Sequence, residues 1–186
     1  MGASQLALMG RLPTADYGSE AELLAACRRR EIGAFEQLYR AHGARLKSIA
    51  YHTVGSRQDA EDAVQETFLK AYRGIEGFSG GSAIGTWLCR ICINACYDLV
   101  RKRQLEASRL EPIEPPAAPQ LALRAQLNQA LRRIDPRRRM VFLLFAVEGM
   151  RHAEIAAILE IPEGTSKAWL FEAKRELQRL LTEKRP

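Results

Sequence analysis

The sequence predicts an all-α protein: two small helical bundles joined by a Pro-rich linker, the C-terminal one a helix-turn-helix domain. Three observations lead there. Apolar residues recur at steps of three and four over several separate stretches, which puts them on one stripe of a helix. Sustained alternation of period two, the mark of a half-buried strand, is missing throughout. Four of the eight prolines, Pro112, Pro115, Pro116 and Pro119, fall in one short segment that reads as an extended, semi-rigid spacer. A chain of 186 residues with 47% hydrophobic and 27% charged side chains is long enough for two small cores and excludes wholesale disorder.

Residues 1–18 show no sustained period and contain Gly, Pro and Ser, so they read as a loose arm. Ser19 with Glu22 three residues later forms a capping-box pattern for a short helix to about Arg29, interrupted by Gly33. From Ala34 the residues Phe35, Leu38, Tyr39, His42, Leu46, Ile49 and Ala50 form one stripe. Ser56 caps the next helix, Arg57 to Arg73, with Ala60, Ala63, Val64, Phe68 and Ala71 inward. A segment rich in Gly and Ser, 74–85, breaks the pattern. Thr86 to Arg103 then turns Trp87, Leu88, Ile91, Cys92, Ala95 and Leu99 inward and ends on three basic residues that suit the helix dipole. These parts make a first domain over 19–103, followed by the linker at 104–120 and a second domain over 121–186. In the second domain Leu123, Leu127, Leu131 and Ile134 mark a helix, and Asp135 with Pro136 opens another, Arg137 to Val147.

The last two helices have helix-turn-helix spacing. Ala153 to Leu159 is short, Glu160, Ile161 and Pro162 make a tight turn, and Glu163 opens a longer helix to about Leu181. Leu170, Ala173, Leu177 and Leu180 face inward, leaving Thr165, Ser166, Lys167, Trp169 and Lys174 for an outer face. A helix of this size fits the major groove, where side chains reach base edges and neighbouring Lys or Arg neutralise phosphates. The charge distribution agrees with a polyanionic partner: residues 1–120 carry 15 basic and 14 acidic side chains, residues 121–186 carry 13 and 8.

The helix after Ser56 has the opposite character. Asp59, Glu61, Asp62, Gln65 and Glu66 form an acidic face that repels DNA and suits a basic protein surface. Cys89, Cys92 and Cys96 share one helix face, but a single rigid helix does not wrap three ligands around zinc, so they read as small core residues and no metal or cofactor is expected. Four clustered cysteines do not make the framework of a secreted domain, and reduced thiols are expected. The start of the chain does not pair basic residues with an apolar run, and no stretch reaches the roughly 18 apolar residues that span a bilayer. A cytoplasmic protein without membrane insertion is the expectation. Phosphate loops, nucleophile elbows and paired carboxylates are absent from the pattern, which points away from an enzyme.

The order of these parts carries a resemblance. DAEDAVQETFLKAY, then a Gly-rich loop with Phe78, then TWLCRICINACYDLVRKR, then linker and helix-turn-helix, resembles the extracytoplasmic-function (ECF) group of bacterial sigma factors. It implies a sigma factor with core RNA polymerase and promoter DNA as partners, held in check by an anti-sigma factor; the alternative that the helix-turn-helix leaves open is a self-sufficient transcriptional repressor or activator. It also implies that the first domain binds the polymerase core through Asp59, Asp62, Gln65, Glu66 and Leu69. Phe78, Ser79 and Asn94 match the pocket for a base flipped from the melted minus-ten element, with Arg101, Lys102 and Arg103 on nearby phosphates. An aromatic wall and an amide that both donates and accepts suit a flipped base. The second domain would read the minus-thirty-five element through Thr165, Ser166, Lys167, Trp169 and Lys174. Trp169, Phe171 and Glu172 depart from the small or basic residues usual there.

Overall fold

A computed structural model describes residues 16–107, 126–127 and 129–182. Four helices build the first bundle: α1 (Glu20–Arg28), α2 (Ile32–Val54), α3 (Arg57–Gly74) and α4 (Ile84–Ala107), with a 3-10 turn at Ile75–Gly77 after α3. The second part begins with helical residues at 129–133 and continues through α5 (Pro136–Ala146), α6 (His152–Leu159) and α7 (Glu163–Thr182). Strands are absent among the described residues, as the all-α reading requires.

The helix starts follow the expected chemistry. Ser19 accepts from the Glu22 amide at 3.2 Å while the Glu22 carboxylate accepts from the Ser19 amide at 3.1 Å, a complete capping box. Ser56 accepts from the Asp59 amide, and Asp135 accepts from the amides of Arg137 and Arg138 ahead of Pro136 at the first helical position. Two boundaries differ from expectation. The break between α1 and α2 falls on Arg30, left-handed at φ 61°, while Gly33 lies inside α2. Arg30 is held there by Glu76, at 3.1 Å, and by the Tyr72 ring. Helix α4 starts at Ile84 and runs to Ala107, so the first four residues assigned to the linker extend it. The rest of the linker, and Leu123 of the expected helix, lie outside the described residues.

Gly85 marks a close approach. A Cβ there would stand 2.9 Å from Cε1 of His42, so α4 approaches α2 closely at its first turn. The partly buried His42 is held below the ordinary imidazole range by its burial and by Arg45, with Glu20 opposing.

The two bundles are not separate bodies with separate interiors. One continuous core includes Leu38, Leu46, Val64, Leu88 and Cys92 of the first bundle together with Met140, Val141, Leu144, Ile155, Ile158 and Leu170 of the second. A smaller cluster, Ala130, Leu131, Ile134, Leu143, Ala173, Leu177 and Leu180, lies wholly in the second. The reason is legible in α5, where Met140 to Ala146 is apolar without interruption. A helix apolar all round must be covered on both sides, and α7 covers one while α2 directly, and α6 with α4 behind it, cover the other.

Candidate nucleic-acid interface

Helix α3 lies between α2 and α4 and buries Ala60, Ala63, Val64, Thr67 and Ala71. Thr67 is the inward residue that hydropathy misses: its hydroxyl donates to the Ala63 carbonyl at 2.6 Å and so enters the core satisfied. Of the residues assigned to a protein-docking face, Asp62, Gln65 and Leu69 are exposed, Leu69 at 50%. Glu66 is half-buried and reaches Lys70 at 3.8 Å. Asp59 is different: its carboxylate is largely buried and ion-paired with Arg103 at the far end of α4. The pair joins a docking-face residue to a member of the basic run, while Arg101 and Lys102 stay exposed.

The Gly-rich loop is fastened from below. Arg28 donates to the Phe78 carbonyl at 3.0 Å, and Glu20 accepts from the Ile84 amide at 3.3 Å. Phe78 is buried against Trp87, ring centroids 5.1 Å apart, so it forms a floor, whereas Ser79 is exposed above it. Asn94 is exposed on α4 and faces a crevice of about 340 Å³ shared with Arg90, Tyr97, Glu160 and Trp169. The three cysteines of α4 are buried in the core. Burial pushes the Cys89 thiol up to about 12 and Cys27 to about 11, so neither is a ready nucleophile.

Helices α6 and α7 meet at a turn in which Glu160 is left-handed, φ 55°. A stack fixes their geometry on α5: Lys174 lies 5.3 Å over the Phe145 ring, Phe145 stacks on His152 at 5.0 Å, and His152 Nδ1 is 2.9 Å from the Ser166 hydroxyl. Ser166 is therefore fully buried, which corrects its assignment to the outer face. Trp169 is half-buried and packs on the shared core, while Thr165 is half-buried and Lys167 and Lys174 are exposed. Lys167 pairs with Glu163 at 2.7 Å. Glu172 is tied to Arg138 of α5 at 2.9 Å, so its charge is spent within the domain. A large apolar residue outside the DNA-facing candidates also lies open to solvent on this helix: Phe171 is 66% exposed. Helical geometry could have found it, since it stands about 130° from the middle of the stripe through Leu170, Ala173 and Leu177 at about 100° per residue.

Residues 38–106 match the family described as Sigma-70 region 2, and residues 124–177 match Sigma-70, region 4. The ECF RNA polymerase sigma factor SigM of Mycobacterium tuberculosis is 34% identical over 181 residues, covering 93% of this chain and 92% of its own length. The chain belongs to the ECF RNA polymerase sigma factors. A second relative, the sigma factor SigE of Mycolicibacterium smegmatis, is 32% identical over 78% of the chain and 60% of its own length. Among solved structures, CnrH in complex with the cytosolic domain of CnrY superposes with a TM-score of 0.69 at 27% identity, covering 88% of this sigma factor and 97% of that chain. The sigma factor RpoE of Bartonella quintana, in complex with the anti-sigma factor NepR, gives 0.64 at 29% identity over 81% and 98%. This sigma factor is thus a transcription initiation factor that binds core RNA polymerase and promoter DNA. Among its described residues no helix is long and apolar enough to cross a membrane.

Proposed function

We propose that the sigma factor divides its work between its two domains as follows. The first, 19–103, grips the polymerase core with Asp62, Gln65, Glu66 and Leu69 of α3. Asp59 belongs to this set through its pair with Arg103, which holds the ends of α3 and α4 together. The Ser79 loop over the Phe78 floor, with Asn94, takes the flipped minus-ten base, and Arg101 and Lys102 hold the phosphates beside it. The second domain, 121–186, reads the minus-thirty-five element through α7, with Lys167 and Lys174 on phosphates and Thr165 and Trp169 at the groove wall. Residues 104–120 bridge the two, their first four extending α4. The polymerase does the chemistry and the sigma factor is not itself an enzyme. It works in the cytoplasm, without cofactor or metal, under an anti-sigma factor, the kind of partner with which the RpoE chain was solved.

The observation that carries this reading is the exposed row Asp62, Gln65 and Leu69 on a helix whose other sides are already packed on α2 and α4. A row of one acid, one amide and one apolar side chain, flanked by Glu61 and Glu66, suits a basic protein surface and not DNA. Pull-down of core enzyme by the wild type and by the pair Gln65→Ala with Glu66→Ala tests it. Binding should fall about tenfold or more with the fold intact. Unchanged capture would remove α3 from the interface.

A further inference from the structure

The strongest unassigned feature is the seam between the two domains. Arg90, on α4 one turn before Asn94, reaches the helix-turn of the second domain: its guanidinium donates to Glu160 at 2.7 Å and to the Ala157 carbonyl at 2.9 Å. Glu160 holds a left-handed backbone that costs any residue with a Cβ, and glycine would relieve it. Its carboxylate is the partner of Arg90, which gives that strain a use. A second tie lies on the other side of the seam. The Glu148 carboxylate, with its side chain only 9% exposed, accepts from the Ser48 hydroxyl at 2.6 Å and lies 3.6 Å from Arg45. Arg45 also donates to the Glu148 carbonyl at 2.9 Å. Between the ties runs the shared apolar core, and Trp169 and Asn94 line the same crevice.

We infer that this is a self-closed state of the sigma factor, latched by Arg90 on Glu160 and by Ser48 and Arg45 on Glu148, and that the latch must open before both promoter elements can be engaged. The argument is one of length. Elements at positions ten and thirty-five lie about two and a half duplex turns apart, roughly 85 Å at about 34 Å per turn. A compact chain of this length has a radius of gyration of about 16 Å and spans about 40 Å. The closed form therefore cannot touch both, and it turns Trp169 toward α4 instead of toward a groove. Apparent affinity for the polymerase then scales with the open fraction, because only the open form assembles.

The inference rests on the sigma-factor reading, and the test separates the two. Charge reversals Arg90→Glu, Glu160→Arg and the double reversal are titrated as full chains against core polymerase. Each single reversal places like charges across the seam and should tighten apparent core binding about three- to tenfold, while the double restores an ion pair and should return to wild type. Direct contacts with polymerase would instead make the two effects add. Small-angle scattering of the free wild type should give a radius of gyration close to the compact value, rising in each single reversal and falling back in the double. Singles that bind like wild type, a double that is the sum of the singles, or a wild type that scatters as two separated bodies would overturn the latch. A wild type that binds no core at all would sink the sigma-factor reading, leaving scattering to decide the latch.

Discussion

Helices α3 and α7 are both amphipathic, and both were expected to turn a functional face outward, yet they fare differently in the fold. On α3, Asp62, Gln65 and Leu69 stay exposed, because α2 and α4, between which it lies, leave this face uncovered. On α7 much of the expected face is engaged within the protein. Ser166 is buried on His152, Trp169 packs on the shared core, Lys174 covers Phe145, and Lys167 pairs with Glu163. The difference follows from neighbours: α7 sits in the angle between α5 and α6, whose aromatic residues curl around its flank. An apolar stripe locates the middle of a buried arc, but the arc's width depends on what leans over its edges.

Four measurements bear on that contrast, taken from the largest effect to the smallest. Leu170→Ala removes a buried side chain at the point where α7 meets the shared core, and should cost about 2–5 kcal/mol in urea denaturation. Leu69→Ala, on the open face of α3, should change stability by no more than about 0.5 kcal/mol while weakening core binding severalfold. A large stability loss there would mean that α3 is covered like α7. Ser166→Ala should cost about 1 kcal/mol and leave DNA sequence preference unchanged, since its hydroxyl serves His152. A changed preference in a promoter library would return Ser166 to the DNA face.

The smallest effect is a pH dependence centred on His42. Burial and Arg45 depress its pKa, so the fold keeps the neutral ring, with Glu20 as the opposing group. Its contribution is fully present above the unfolded value of about 6.5 and is lost as pH falls through the lowered folded value. Thermal melting should therefore weaken on acidification below about pH 6.5, and His42→Gln should flatten that slope.

Much of the fold is legible in the sequence itself. The caps at Ser19, Ser56 and Asp135 are local chemistry, and each formed where the spacing required. The stripes on α3 and α7 were also legible, because burial there follows the helical period. The break at Arg30 was not, because a glycine three residues on looked like the natural interruption, while the left-handed turn is held by Glu76 and Tyr72, both distant in sequence. Burial of Phe78 under the loop depends on Arg28 and Trp87 and likewise has no local signal. The seam between domains was invisible for the same reason: Arg90 and Glu160 are 70 residues apart and carry no motif. The candidate site was legible as a set of helix faces, and which members stay free was decided by long-range packing.

The most direct test of the account is run-off transcription with purified core polymerase on a cognate promoter, comparing the wild type with the Gln65→Ala and Glu66→Ala pair. The wild type should give a promoter-specific transcript and the pair should lose most of it while melting at the wild-type temperature. A wild type that yields no transcript with core enzyme, yet shifts duplex DNA tightly on its own, would contradict the account.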